Sequence, residues 1–152
     1  MHSRVFCIIR KDSEEDKEYL ENMTSYDIYE EMNNIADYTD DSDLESDIKW
    51  LASYCSTLFT IKDRTLKINR ENVEKYILNK AEDVKKITQT INTVKDYLTA
   101  KNKLRNILSK YGGFYFYEPN ILSSLDDFVE FLWGYETEDL EFEIVKTFDY
   151  HY

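Results

Sequence analysis

The side chains that most often carry out chemistry in proteins are sparse in this chain of 152 residues. Its two histidines, His2 and His151, lie at opposite ends, and one of its two cysteines, Cys7, lies close to the first. If the first and last strands were neighbours, the three side chains would meet and supply metal ligands, or a base and a nucleophile. The simpler interpretation, which we adopt, is a pair of solvent-exposed imidazoles at the chain ends.

Motifs for catalysis are absent from the rest of the sequence. There is no G-x-G-x-x-G, P-loop, G-x-S-x-G or H-E-x-x-H motif, and the 3 glycines are too few for a phosphate-binding loop. Carboxylate pairs are too plentiful for any one of them to stand out as an acid and base. We therefore expect no catalytic residue, no cofactor and no metal site. A small hydrolase or nuclease that uses the terminal histidines or Cys7 stays as an alternative.

The acidic side chains are the stronger indication of function. Six of them lie within eleven residues and surround one tyrosine: Asp37, Tyr38, Asp40, Asp41, Asp43, Glu45 and Asp47. Carboxylates near a helix N-terminus stabilise the helix dipole, which accounts for the last three acids but not for the first three. Such a row, with tyrosines beside it, is typical of a surface that binds a cationic partner. We predict that these seven residues bind the partner.

The charge of the chain, -12 overall, is divided into blocks along the sequence. Residues 12–47 hold 15 acids and one base, residues 62–110 hold 13 bases and 6 acids, and residues 118–149 hold 10 acids and one base. Either the basic block packs near the acidic ones and offsets their repulsion, or the acidic block is held out for a partner. Because the net charge repels a polyanion, we expect no direct binding of nucleic acid.

Composition and length predict one soluble domain that spans residues 1–152. The first apolar run has five residues, so we expect neither a signal peptide nor a membrane span. Two cysteines far apart make no disulfide framework, which favours a cytoplasmic location.

Periodicity predicts mixed helices and strands. Strands are expected at residues 5–9 and 114–117 and in a hairpin over 58–68. A last strand alternates apolar and polar residues, with a break only at Val145 and Lys146; its apolar residues are Leu140, Phe142, Ile144 and Phe148. Helix starts are expected at Thr24 with Asp27, Ser42 with Glu45, and Ser124 with Asp127.

The basic block predicts one long central helix over residues 70–111. Its apolar seam, Val84, Ile87, Ile91, Val94 and Leu98, has coiled-coil spacing. A break of this helix near Lys101 is the alternative. The apolar seam would either pack internally, in a monomer, or pair two subunits, in a homodimer. The predicted fold is α+β: a mostly antiparallel sheet of about five strands, with helices on one face.

Residues 2–6 and 148–152, with the aromatic run 114–117 before Leu125 and Phe128, resemble small acidic proteins of phages and mobile elements of Gram-positive bacteria. Members of that group resemble anti-CRISPR inhibitors. The resemblance implies an anti-defence protein in the cytoplasm of a bacterial host, whose partner is a basic nucleic-acid-binding protein such as a CRISPR effector nuclease. An immunity protein or antitoxin that neutralises a toxin nuclease is the alternative.

Overall fold

The computed structural model describes residues 2–13, 15–33, 35–108, 113–134 and 139–152, without the side chains of His2 and Asp139. The strands are β1 (His2–Arg10), β2 (Tyr38–Asp41), β3 (Phe59–Lys62), β4 (Thr65–Asn69), β5 (Phe114–Glu118), β6 (Ile121–Ser124) and β7 (Asp139–His151). The helices are α1 (Lys17–Asn22), α2 (Ser25–Glu31), α3 (Leu44–Tyr54), α4 (Arg70–Thr88), α5 (Val94–Ile107) and α6 (Leu125–Trp133). The predicted α+β class and mostly antiparallel sheet are confirmed.

The described residues form a seven-stranded sheet rather than one of about five strands. Its order is β3-β4-β7-β1-β5-β6, and β2 pairs with the C-terminal part of β7. Only the pairing of β1 with β5 is parallel among the pairings that the described residues make. The prediction overlooked β2 and β6 because each has four residues, and the aspartates of β2 disfavour a strand in isolation.

A β-bulge in β7 decides which side chains face which side of the sheet. Cys7 lies opposite Lys146 and Ile8 lies opposite Ile144, so Val145 is the extra residue. Side chains therefore change sides across the bulge, and Phe142 and Phe148 contribute to different hydrophobic clusters. The sequence shows its break in alternation at Val145 and Lys146, and the bulge lies there.

Helices cover both faces of the sheet, not one face as predicted. On the first face, α3, α4 and α6 pack through Leu51, Val73 and Phe128. On the second face, α1 and α2 pack through Leu20 and Ile28. Because the strands are apolar on both sides around β1, each face has to be buried.

The predicted long central helix is two helices. The chain turns at residues 89–93, and Thr93 caps α5 in a capping box with Asp96. The seam therefore divides at the turn, since Val94 and Leu98 are exposed rather than packed beneath α4. Tyr111, the last apolar residue of the predicted helix, lies outside the described residues.

Candidate functional site

The predicted binding residues lie on β2 and around the start of α3, where they have different environments. Asp47 is buried, with 4% of its surface exposed. One of its carboxylate oxygens accepts a hydrogen bond from Arg4 Nε at 2.5 Å, and the other accepts one from the Ser42 hydroxyl at 2.6 Å. The Ser42 hydroxyl also lies 2.8 Å from the hydroxyl of Thr147. This network joins α3 to β1 and β7, so Asp47 is not available to a partner.

Asp43 and Glu45 are exposed but also stabilise α3. Asp43 is the N-cap residue, and its carboxylate accepts a hydrogen bond from Ser46 N at 2.8 Å. The predicted cap at Ser42 was wrong by one residue, because Ser42 bonds to Asp47 instead. Glu45 lies in the first turn, where its charge complements the helix dipole.

Tyr38 and Asp40 lie beside the C-terminal histidine. The Tyr38 ring stacks on the ring of His151, with centroids 3.9 Å apart and an interplanar angle of 14°. Asp40 Oδ2 and Asp149 Oδ2 lie 3.7 Å and 4.0 Å from His151 Nε2. The pleat places Asp41, which is opposite Phe148, on the other side of the sheet. The cluster therefore faces two directions.

The larger acidic surface extends well beyond the predicted residues. Every acid of residues 12–45 that the structure describes is exposed. With them lie four exposed tyrosines, namely Tyr19, Tyr26, Tyr29 and Tyr38. We call these acids and tyrosines the acidic layer. They lie on the loop before α1, on α1, α2 and β2, and at the start of α3. The prediction missed the part on α1, where Tyr19 precedes the buried Leu20 and so has to point outward.

Buried side chains hold α1 and α2, which carry part of the acidic layer, against the sheet. Leu20, Met23, Ile28 and Met32 are buried against the second face of the sheet. Thr24 and Asp27 form the predicted capping box of α2, and the hydrogen bonds from Thr24 lower the pKa of the Asp27 carboxyl. Like charges held this close repel one another, and the buried side chains offset that cost.

The terminal histidines and Cys7 come only partly together. His2 and His151 are direct partners in the pairing of β1 with β7. Cys7 lies five residues further along β1, about 16 Å away at the usual rise of a strand. Burial raises the pKa of the Cys7 thiol to about 12, which keeps it protonated. The described residues contain no group of three His, Cys, Asp or Glu side chains that could hold a metal ion.

The helices of the basic block lie across the sheet from α1 and α2. Helix α4 packs on the first face through Val73, and α5 packs on α4. Lys80 of α4 pairs with Asp126 of α6, and Lys85 and Lys86 pair with acids one turn away on α4 itself. The acids that pair with these three lysines lie on α4 and α6, outside the acidic layer.

No helix within the described residues combines the length and apolar character needed to cross a lipid bilayer. Comparison with known proteins finds no matching family model, no matching curated protein and no matching solved structure.

Proposed function

We propose that this protein is a non-enzymatic inhibitor that binds the cationic nucleic-acid groove of a bacterial defence nuclease through the acidic layer. The observation that supports this proposal is the exposure of the described acids of residues 12–45 beside four exposed tyrosines. A CRISPR effector is the proposed target, in the cytoplasm of a bacterial host, and binding would exclude nucleic acid from the groove.

A cationic partner relieves the repulsion within the acidic layer. Carboxylates one helical turn apart have Cβ atoms about 5–6 Å apart, comparable with the spacing of phosphates along a strand. Their mutual repulsion destabilises the free protein, and lysines and arginines of a nucleic-acid groove remove it on binding. Exposed tyrosines add the aromatic contacts that are enriched at protein interfaces. Such binding weakens as salt concentration rises.

The test is a competition experiment with matched charge reversals. One variant carries Asp37→Lys, Asp40→Lys and Asp41→Lys, which avoids the capping Asp43 and the buried Asp47. The control carries Glu74→Lys, Glu82→Lys and Asp83→Lys on α4, with the same change in net charge and three exposed positions. A panel of purified CRISPR effectors binds labelled target DNA, and the protein is added as competitor.

We expect the wild type and the control to displace DNA from an effector, and the acidic-layer variant to be at least tenfold weaker. Equal potency of the two variants would refute the role of the acidic layer. If no effector responds and a secreted toxin nuclease is inhibited instead, the protein is an immunity protein that uses the same surface.

A further inference from the structure

Helix α5 and Leu108, the residue that follows it, form an exposed apolar stripe that nothing in the described structure covers. Val94, Leu98 and Leu108 are exposed to 78%, 54% and 60% of their surfaces, and Tyr97 is also exposed. Large aliphatic side chains left this open on one line are unusual for a surface that faces only water. The stripe is therefore a candidate interface, separate from the acidic layer.

The stripe has the spacing of a coiled-coil seam with cations within it. Val94, Lys101 and Leu108 are seven residues apart, and Tyr97 follows the first of them by three. Arg105 lies one turn after Lys101 on the same side of α5. Among the described residues, neither of these two cations forms an ion pair.

We infer that this stripe binds an amphipathic helix of another protein whose acidic residues face Lys101 and Arg105. An apolar seam of heptad spacing matches the apolar face of a helix, because the same side-chain spacing recurs on both partners. A cation at a core position of such a seam selects a partner that places a carboxylate opposite it. Both the shape and the charge of the stripe thus specify the occupant.

The charges argue against a second copy of this chain as the occupant. Lys101 lies midway between Val94 and Leu108, so parallel and antiparallel pairing of two α5 helices both place Lys101 against its own copy. Like charges in direct contact destabilise such a pair. Nucleic acid is disfavoured as well, because phosphates make no use of exposed valine and leucine side chains.

The α5 stripe and the part of the acidic layer on α1 and α2 lie on opposite sides of the sheet. Helices α1 and α2 of the acidic layer pack on the second face, while α5 packs on α4, which covers the first. The protein is therefore able to hold a cationic partner and an acidic helix together, which extends its role beyond occupying a single groove.

The test uses two synthetic 21-residue helical peptides with leucine at the core heptad positions except the central one. One carries glutamate at that central position and at the flanking positions, and the other carries lysine at all of them. The proteins are the wild type, a variant with Lys101→Glu and Arg105→Glu, and a control with Lys85→Glu and Lys86→Glu on α4. Affinities are measured by fluorescence anisotropy, with circular dichroism to confirm that each variant is folded.

We expect the wild type and the control to bind the acidic peptide at least tenfold more tightly than the basic one, and the α5 variant to reverse this preference. Absence of binding, or equal affinity for both peptides, would overturn the proposal. So would a concentration-dependent dimer in sedimentation that Leu98→Asp abolishes, or displacement of the peptide by a 20-nucleotide DNA. These readouts do not involve the acidic layer, so failure here is distinct from failure of the proposed inhibition.

Discussion

Replacement of the buried carboxylate of Asp47 tests whether α3 is anchored to the sheet through that group. Asp47→Asn keeps the shape of the side chain but removes the charge that pairs with Arg4 and accepts from Ser42. A hydrogen bond to a charged group contributes about 1.5–3 kcal/mol. The Arg4 side chain is 32% exposed, so water replaces part of the lost pairing. We therefore expect the free energy of unfolding to fall by about 2 kcal/mol.

Urea unfolding followed by circular dichroism measures this change. With a slope near 2 kcal/mol/M, the midpoint should fall by about 1 M, and Tm by about 5 °C. The matched control is Asp41→Asn, at an exposed carboxylate nearby, which should change stability by less than about 0.5 kcal/mol.

A double-mutant cycle with Arg4→Met separates the pair from the general effect of each substitution. We expect the effects of the two substitutions on the free energy of unfolding to couple by about 1 kcal/mol. The reason is that Arg4→Met removes a charge that Asp47→Asn has already left unpaired. If Asp47→Asn is no more destabilising than Asp41→Asn, or if the two changes in the cycle simply add, the anchoring role of Asp47 is refuted.

Two further predictions concern the buried thiols and the bulge. Burial raises the pKa of Cys7 and Cys55 from 9.0 to about 12. Above pH 9.0, the ordinary pKa, these thiols ionise in the unfolded chain but stay protonated in the folded protein. The free energy of unfolding should therefore fall between pH 9 and pH 12. Below pH 9, thiol ionisation should not affect it. Ellman's reagent at pH 8 should label neither thiol before unfolding, and rapid labelling of the folded protein would contradict the burial. Deletion of Val145 removes the bulge and turns Phe148 away from the α1–α2 side, so we expect no cooperative thermal transition, whereas Val145→Ala should retain one. A folded deletion variant would show that the bulge does not set the orientation of β7.

Acidic helices on one side of the sheet and basic helices on the other should make binding at both surfaces sensitive to salt. Helices α1 and α2 of the acidic layer are separated from the basic helices by the sheet, so these two sets of charges are not in contact. Added salt should therefore weaken binding at both surfaces, because screening acts on each partner separately.

Local features of the fold were predictable from sequence because they depend on residues close together in the chain. The capping pairs Thr24 with Asp27 and Ser124 with Asp127 start α2 and α6 as predicted. The hairpin of β3 and β4 also forms where the alternation predicts it, with Asp63 at positive φ in its turn. Each of these depends on side-chain hydrogen bonding or turn geometry over a few residues.

Other features depend on pairings between distant parts of the chain. The acidic segment of β2 becomes a strand because the edge of β7 offers it hydrogen bonds, which outweigh the weak strand preference of its aspartates. Asp47 is buried because Arg4, 43 residues earlier, lies on a neighbouring element. The seam over residues 84–98 resembles one continuous helix in sequence, and only the turn at 89–93 leaves its second half exposed.

The sequence alone therefore determined the α+β class, the caps at Thr24 and Ser124 and the presence of a dense acidic block. The tertiary structure decided which of those acids are exposed and which one is buried. It also placed the basic helices across the sheet from α1 and α2, and brought the backbones of His2 and His151 together while leaving Cys7 apart. The physical reason is that composition and periodicity report local preference, whereas exposure and charge separation depend on the strand order and on the bulge in β7.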